Sequence, residues 1–156
     1  MRLPISTLLA LLLLTLMNGC GKKDFQFTEG NACWETTTEF PQGPFGKATI
    51  KIQVFNERLP TPRPRRDQVA LIHRVVEGLP ELMPVIIQKL AEYDEDLKDP
   101  TVFREQLVQP AICLFDPDEQ PSRSWSFSVE RPSFGESFVY VLDFVDKEFK
   151  EIGAGD

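Results

Sequence analysis

The sequence predicts an α+β domain: an antiparallel sheet of six or seven strands with one helical segment packed on one face. Apolar side chains recur at steps of three and four between Asp67 and Asp94, which indicates a helix with one apolar stripe. Segments on both sides of this stretch alternate apolar and polar residues, the period of a half-buried strand. The stripe consists of Val69, Ile72, Val76, Leu79, Met83, Ile86, Leu90 and Tyr93.

Two prolines interrupt the helical stretch without changing the phase of its stripe. Asp67 is expected to cap the N-terminus, because its side chain can accept a hydrogen bond from a free backbone N–H. Pro80 and Pro84 each lack an N–H and crowd the preceding turn. One kinked helix and two helices both fit, and Gly78 before Pro80 favours two, since glycine ends helices and proline begins them. We expect the stripe to be core rather than a seam for a partner helix.

Residues 1–19 are typical of an export signal. Leu8–Leu16 is an apolar run that is too short to span a bilayer. It ends in Leu16-Met17-Asn18-Gly19-Cys20, which resembles the signal peptide of bacterial lipoproteins. The resemblance implies cleavage before Cys20 and acyl chains on that cysteine, and Gly21 in place of aspartate implies the periplasmic face of the outer membrane. An ordinary signal peptide with an incidental cysteine is the alternative.

Cleavage would leave 137 of the 156 residues, a comfortable size for one domain. We expect a tether over residues 20–24, a single domain over 25–152 and a tail over 153–156. The removed segment holds one arginine and no acid, so the net charge changes from −7 to −8. An acidic chain lacks the basic face that nucleic acid requires, so no nucleic-acid partner is predicted. No stretch after the signal is apolar enough to cross a membrane.

Cys33 and Cys113 form an even pair once Cys20 is lipidated. In an oxidising compartment such a pair predicts a disulfide. The bond would close a loop of about 80 residues, worth on the order of 4 kcal/mol in the chain-entropy model. Two buried free thiols are the alternative, because free cysteine is among the most buried residue types. Neither cysteine has the histidine partner or the Cys-x-x-Cys spacing of a nucleophile or metal ligand.

The strands are predicted from alternation and from the turn residues between them. Pro41–Gly46 is expected to be a hairpin connection, and Pro100–Gln106 predicts a short additional helix. Phe138–Val145 is apolar on both faces and is expected to be the central strand. The predicted strands are Asp24–Thr28, Trp34–Phe40, Ile50–Val54, Ala111–Phe115, Trp125–Val129, Phe138–Val145 and Phe149–Ile152.

Leu59–Arg66 is rich in proline and is predicted to be a stiff, extended connection from the sheet to the helix. Its three arginines, Arg63, Arg65 and Arg66, have a second interpretation. They could contact anionic lipid or surface polysaccharide close to the anchor.

An acidic run ends the helical stretch: Glu92, Asp94, Glu95, Asp96 and Asp99. Negative charge at a helix C-terminus opposes the helix macrodipole, at a cost of about 0.3–1 kcal/mol for each exposed group. The run is either a solvated helix end or a recognition patch for a protein partner with a basic surface. Its spacing lacks the glycine and the closing glutamate of a calcium loop, so no metal site is predicted.

No catalytic residue and no cofactor is predicted. His73, the single histidine, lies on the flank of the stripe without the partners that acid–base catalysis needs. No nucleophile elbow, phosphate loop, dinucleotide fingerprint or zinc pattern occurs. Glu130 and Glu136 flank a predicted hairpin, so a small carboxylate-dependent hydrolase of the envelope is the alternative function.

The layout of the mature domain resembles small uncharacterised α+β domains of bacteria, some of which are linked to toxin immunity. Two segments carry this resemblance. One is the helix start Arg66-Asp67-Gln68 with Leu82-Met83 and Leu90-Ala91-Glu92-Tyr93 after it, and the other is Trp125-Ser126-Phe127 with the closing Ala154-Gly155-Asp156. Neither contains a catalytic motif. This resemblance implies no mechanism. Because the catalytic motifs are missing and an anchor is expected, we predict a lipid-anchored binding or inhibitor module of the cell envelope, for example an immunity-like protein, rather than an enzyme.

Overall fold

The computed structural model describes residues 24–30, 33–40, 48–56, 63–115, 123–133 and 136–155. The strands are β1 (Thr28–Glu29), β2 (Trp34–Phe40), β3 (Ala48–Val54), β4 (Val108–Leu114), β5 (Ser124–Ser133), β6 (Glu136–Val145) and β7 (Glu148–Gly155). The helices are α1 (Arg66–Tyr93), α2 (Pro100–Gln106) and, between them, a 3₁₀ helix (Glu95–Lys98).

All seven strands belong to one sheet and lie side by side in chain order, from β1 to β7. Neighbouring strands are antiparallel except β3 and β4, which run parallel. A parallel pair requires a crossover connection, and the helical segment between β3 and β4 supplies it. The predicted α+β class is therefore confirmed, with one parallel pair that the alternation of residues does not reveal.

α1 is one continuous helix, so the predicted division near Gly78 is wrong. Pro80 and Pro84 lie inside the helix and both are exposed. Their spacing of four residues places them on one outer surface. There, water can solvate the two backbone carbonyl groups that lose their intrahelical N–H partners. The prolines therefore leave the buried side of α1 undisturbed.

Gln68, rather than Asp67, holds the N-terminus of α1. Gln68 Oε1 accepts a hydrogen bond from the backbone N–H of Arg65 at 2.9 Å, and its Nε2 donates to Asn56 Oδ1 at 3.0 Å. Gln68 and Asn56 are both buried, so this contact joins the start of α1 to the chain that leaves β3. Asp67 is exposed and pairs with the Arg65 guanidinium at 3.2 Å, and the predicted cap is therefore wrong.

The core lies between α1 and one face of the sheet. Five members of the stripe of α1 are buried, as its spacing predicts: Ile72, Leu79, Met83, Ile86 and Leu90. Val69 and Val76 are half-buried, and Tyr93 at the end of the helix is 49% exposed. Leu97 of the 3₁₀ helix and Phe103 of α2 extend the same layer. The fully buried centre is formed by Ile50, Ile52, Ile72, Leu79, Ile86, Leu90, Ile112, Phe127 and Leu142.

β4, rather than β6, is the middle strand of the sheet. Every residue of β4 from Pro110 to Leu114 is buried. β6 is second from the edge, and its outward valines Val139, Val141 and Val145 are only half-buried. The prediction of β6 as the central strand is wrong: valines on its outward face remain half-buried in a strand next to the edge, so apolar residues on both faces do not show that a strand is central.

Some element boundaries also differ from the prediction. β1 contains only Thr28–Glu29, although Phe25 and Phe27 before it still pack against the core. β7 continues to Gly155, so residues 153–155, predicted as a tail, pair with β6. The connection at Pro41–Gly46 and the linker as far as residue 62 lie outside the described residues.

Candidate binding face

Cys20, the predicted lipidation site, lies outside the described residues together with the signal segment. No helix in the described part of the chain is long and apolar enough to cross a membrane. The other predicted site residues are all described, except for the side chain of Glu136.

Two aspartates of the acidic run cap the helices that follow α1. Asp94 Oδ1 accepts a hydrogen bond from the backbone N–H of Asp96 at 3.0 Å and caps the 3₁₀ helix. Asp99 Oδ1 accepts from the backbone N–H of Thr101 at 2.8 Å and caps α2. Both contacts satisfy helix N–H groups that have no partner within the helix.

The two glutamates of the run pair with lysines close to them in sequence. Glu92 lies 2.7 Å from the ammonium group of Lys89, and Glu95 lies 2.8 Å from that of Lys98. These exposed pairs contribute little to stability, but they neutralise part of the negative charge. The acidic run is therefore largely engaged within the protein.

Asp94 is the centre of a polar cluster that joins the end of α1 to the sheet. Its Oδ2 accepts hydrogen bonds from Arg131 at 2.5 Å and from Tyr140 Oη at 2.6 Å. Arg131 also binds Asp96 Oδ2 at 3.1 Å and Gln106 Oε1 at 3.0 Å. The side chains of Arg131 and Asp94 are only 16% and 21% exposed. The cluster thus fixes α1 to β5 and β6.

The contacts of Asp94 set its protonation. Burial alone would raise the pKa of this carboxyl group, but the hydrogen bonds from Tyr140 and Asp96 and the charge of Arg131 lower it below its usual value. Burial and the hydrogen bond to Asp94 raise the pKa of Tyr140. Asp94 is thus a carboxylate and Tyr140 a phenol at neutral pH, which matches the observed donor and acceptor roles.

The face of the sheet turned away from α1, which we call the open face, carries the outward residues of the alternating strands. No described helix packs on this face. Among the described residues, six acids and one lysine occupy its outward strand positions, so the face is acidic overall. These charged side chains are Glu35, Glu39, Lys51, Glu130, Asp143, Glu148 and Glu151.

A groove of about 370 Å³ crosses the open face from β2 to β6. Pro110, Ala111 and Val139 give it an apolar part. Polar side chains line the rest: Thr37, Thr49, Lys51, Gln53, Gln109, Ser128 and Glu130. The groove therefore combines a small apolar surface with hydroxyl, amide, ammonium and carboxylate groups.

Several polar groups of the groove are free to bind a partner. Thr37, Thr49 and Gln109 are exposed and make no side-chain hydrogen bond within the described residues. Among the described residues, Lys51 has a single ion pair, a long contact of 3.9 Å with Glu35. Gln109 has a φ of 51°, in the left-handed region, at a register shift of β4 against β5. Such a backbone costs free energy and is found frequently at functional sites.

A thiol and amide cluster lies beside the groove. Gln53 Nε2 is 3.9 Å from Cys33 Sγ, and Cys113 Sγ is 3.8 Å from Gln53 Oε1. Both cysteines are buried and unbonded in this structure, and the disulfide between them stays a prediction. The strand order keeps them apart here, because β3 with Gln53 lies between the two cysteines. Second-neighbour strands are about 10 Å apart, whereas a disulfide needs Cα atoms closer than about 7 Å.

The surroundings of the thiols keep them protonated. Burial raises the pKa of Cys113, and burial together with the charge of Glu35 raises the pKa of Cys33. A hydrogen bond of 2.7 Å from Gln53 lowers the pKa of Glu35, so its carboxylate stays charged beside Cys33. Neither thiol therefore has the character of a catalytic nucleophile, which requires a depressed pKa.

The remaining predicted candidates have ordinary contacts. Glu130 Oε1 accepts a hydrogen bond from Ser137 Oγ. The ring of His73 packs on Phe25 with 4.7 Å between the ring centroids. The described residues contain no group of three or more histidine, cysteine, aspartate or glutamate side chains that could hold a metal ion.

The groove is a site that the sequence analysis does not identify. Thr37, Thr49 and Lys51 occupy outward positions of predicted strands, so their exposure follows from the alternation. Gln109 carries no such signal, because its backbone conformation depends on how β4 pairs with β5. Which outward residues share a groove depends on the strand order, and this follows from the crossover rather than from local pattern.

Comparison of the chain with protein-family models, with curated proteins and with solved structures gives no match.

The Asp94 cluster predicts a specific dependence of stability on pH. Because the folded state lowers the pKa of Asp94, ionisation stabilises the fold above about pH 4 and this contribution is lost as the pH falls through the folded pKa. Asp94→Asn keeps a capping oxygen but loses the charge. It should lower the free energy of unfolding at pH 7 by about 1.5–3 kcal/mol in urea titrations.

The difference between Asp94→Asn and the wild type should shrink as the pH falls below 4. Glu95→Gln is the matched control, because this exposed residue pairs, among the described residues, with Lys98 alone and its loss should cost much less than the loss of the Asp94 charge. An equal loss of stability in both variants at pH 7 would show that Asp94 has no special role.

Free thiols at Cys33 and Cys113 are tested by alkylation without reductant. Denatured protein should take up one alkyl group at each of these residues, as measured by mass spectrometry, whereas the native protein should react slowly because both thiols are buried. Cys33→Ala and Cys113→Ala should each lose one label. Labelling that appears only after a reductant is added would establish the disulfide instead.

Proposed function

We propose that the protein is a lipid-anchored binding or inhibitor module of the cell envelope that acts through its open face rather than by catalysis. The lipoprotein-like motif ending in Cys20 supports the anchor, and Gly21 supports the periplasmic face of the outer membrane. The mature chain would then stand on a short tether next to the membrane.

One observation carries the binding role. Three of the seven polar side chains that line the groove on the open face, Thr37, Thr49 and Gln109, make no hydrogen bond within the described residues. In the acidic run, by contrast, Asp94 and Asp99 are consumed by helix caps and by the contact with Arg131. A polar group contributes to binding when it gives up a hydrogen bond to water and forms one to the partner. The open face is therefore a better candidate interface than the acidic run.

The charge of the open face indicates the kind of partner. Six carboxylates against Lys51 favour a protein with a basic surface, which the net charge of −7 also attracts at long range. An immunity-like protein that neutralises a toxin acting in the envelope is one concrete form of this role. The protonated thiols and the engaged Glu130 supply no activated catalytic group for a competing enzymatic role.

The anchor is tested by metabolic labelling with palmitate. Wild-type protein should incorporate the label and fractionate with membranes, because two or three acyl chains give a stable anchor. Cys20→Ser should lose both properties. A double substitution of Cys33 and Cys113 by alanine is the control and should keep the label. Label that remains in Cys20→Ser would place the lipid elsewhere.

The open face is tested by site-specific photo-crosslinking in intact envelopes. A crosslinking amino acid at Thr49, on the groove, should capture one defined partner, whereas the same residue at the exposed Gln88 on α1 should not. Capture at Thr49 should fall when Lys51→Ala and Gln109→Ala are combined with it, since both side chains line the groove.

Equal capture from both positions would contradict a role of the open face. A different outcome would favour the hydrolase. In that case the wild-type protein would release fragments from envelope glycan, and Glu130→Gln would abolish this release without changing the midpoint of urea denaturation. Glu39→Gln, which changes the same charge on the open face, is the control for that measurement.

A further inference from the structure

Charge is distributed unevenly along the segment from residue 63 to residue 99. Its first twelve residues contain four arginines and only one acid, Asp67. From residue 75 to residue 99 there are seven acids and two lysines. The basic surface, as we call it, consists of Arg63, Arg65, Arg66 and Arg74. It is a local positive region on a chain whose net charge is −7.

This distribution is the reverse of the one that stabilises a helix. The helix macrodipole favours acids in the first turn and bases in the last turn. α1 has only Asp67 as an acid in its first turn and no base in its last turn. The arginines near its start therefore oppose the stability of the helix, and a charge pattern that works against its own helix indicates another role.

Two of these arginines are available for a partner. Arg66 and Arg74 are exposed and make no ion pair within the described residues. Arg65 is held by Asp67 at 3.2 Å, and the guanidinium of Arg63 lies 5.3 Å from the centre of the Trp34 ring. The basic surface therefore keeps at least two charges without an internal counter-ion.

The chain enters the fold beside this surface. Phe25 packs on His73, the neighbour of Arg74, with 4.7 Å between the ring centroids. Four residues, Gly21 to Asp24, separate Phe25 from Cys20, so the two Cα atoms can be at most about 18 Å apart. Lys22 and Lys23 in this segment add two positive charges next to the lipidated residue.

We propose that the basic surface lies against anionic phospholipid headgroups and orients the domain on the membrane. The proposal rests on the anchor of the proposed function, because the acyl chains on Cys20 bring this side of the fold to the bilayer. Arg66 and Arg74 bind lipid phosphate, and the acidic second half of α1 is repelled from the same surface. Exposed arginines near an anionic membrane contribute favourable free energy additively.

The test uses the full lipidated protein in vesicles of phosphatidylcholine with or without phosphatidylglycerol. A fluorophore on Ala70→Cys reports the first half of α1, and one on Gln88→Cys, about 27 Å further along the helix axis, reports the second half. Ala70 and Gln88 are both exposed, and the parent protein without an added cysteine gives the labelling background. Quenching by headgroup-labelled lipid measures how close each position lies to the bilayer.

The expected result is strong quenching at position 70 and weak quenching at position 88. This difference should appear only when phosphatidylglycerol is present, and it should decrease as the salt concentration rises. Arg66→Gln combined with Arg74→Gln should shift the equilibrium away from this orientation by on the order of 30-fold. Arg104→Gln, an exposed arginine on α2, should have little effect.

Equal quenching at both positions, no dependence on phosphatidylglycerol, or an equal effect of Arg104→Gln would overturn the proposal. Mass spectrometry of the same preparation separates the two hypotheses. A protein without acyl chains on Cys20 contradicts the anchor, whereas a lipidated protein that fails the quenching test contradicts only the orientation.

Discussion

One helical layer has to shield the apolar side of a seven-stranded sheet, and the rest of the structure depends on how it does so. α1 has 28 residues and is therefore about 42 Å long. Seven strands span about 29 Å across the sheet. A helix of this length can cross the sheet diagonally and cover its full width. A break at Pro80 would reduce the area of the sheet that α1 covers. Both prolines lie on the exposed side of the helix, where they leave it continuous.

The end of α1 must then be fixed at the far side of the sheet, and the Asp94 cluster does this. Asp94 ends the helix, begins the 3₁₀ helix and holds Arg131 and Tyr140 of β5 and β6. Acids near a helix C-terminus are unfavourable on their own. The guanidinium of Arg131 offsets this cost, because it brings a positive charge to the place where a helix C-terminus prefers one.

Local pattern predicted the elements well because alternation and helical spacing report burial directly. β2 and β5 follow from the alternation around Trp34 and Trp125, and α1 follows from its stripe. The parallel pairing of β3 with β4 and the central place of β4 do not follow from such patterns, since they depend on the path of the crossover.

Long-range contacts place two groups of predicted site residues in surroundings that the sequence does not reveal. Cys33 and Cys113 are an even pair in sequence, yet β3 separates them in the sheet. The acidic run resembles a recognition patch until Arg131, which lies 37 residues beyond Asp94, is placed against it. A polar residue in the sequence therefore indicates a binding site only when its partners in the fold are known. Thr37, Thr49 and Gln109 in the groove make no side-chain hydrogen bond within the described residues.

The two proposed surfaces are compatible because they lie on opposite sides of the sheet. The basic surface belongs to the helical layer, whereas the groove belongs to the open face. If the first half of α1 rests on the bilayer, the sheet stands between the membrane and the groove. Thr49 and Lys51 then point away from the lipid, where a partner can reach them. A negatively charged open face turned toward the membrane would be repelled by anionic headgroups, so the charge of each surface favours the same orientation.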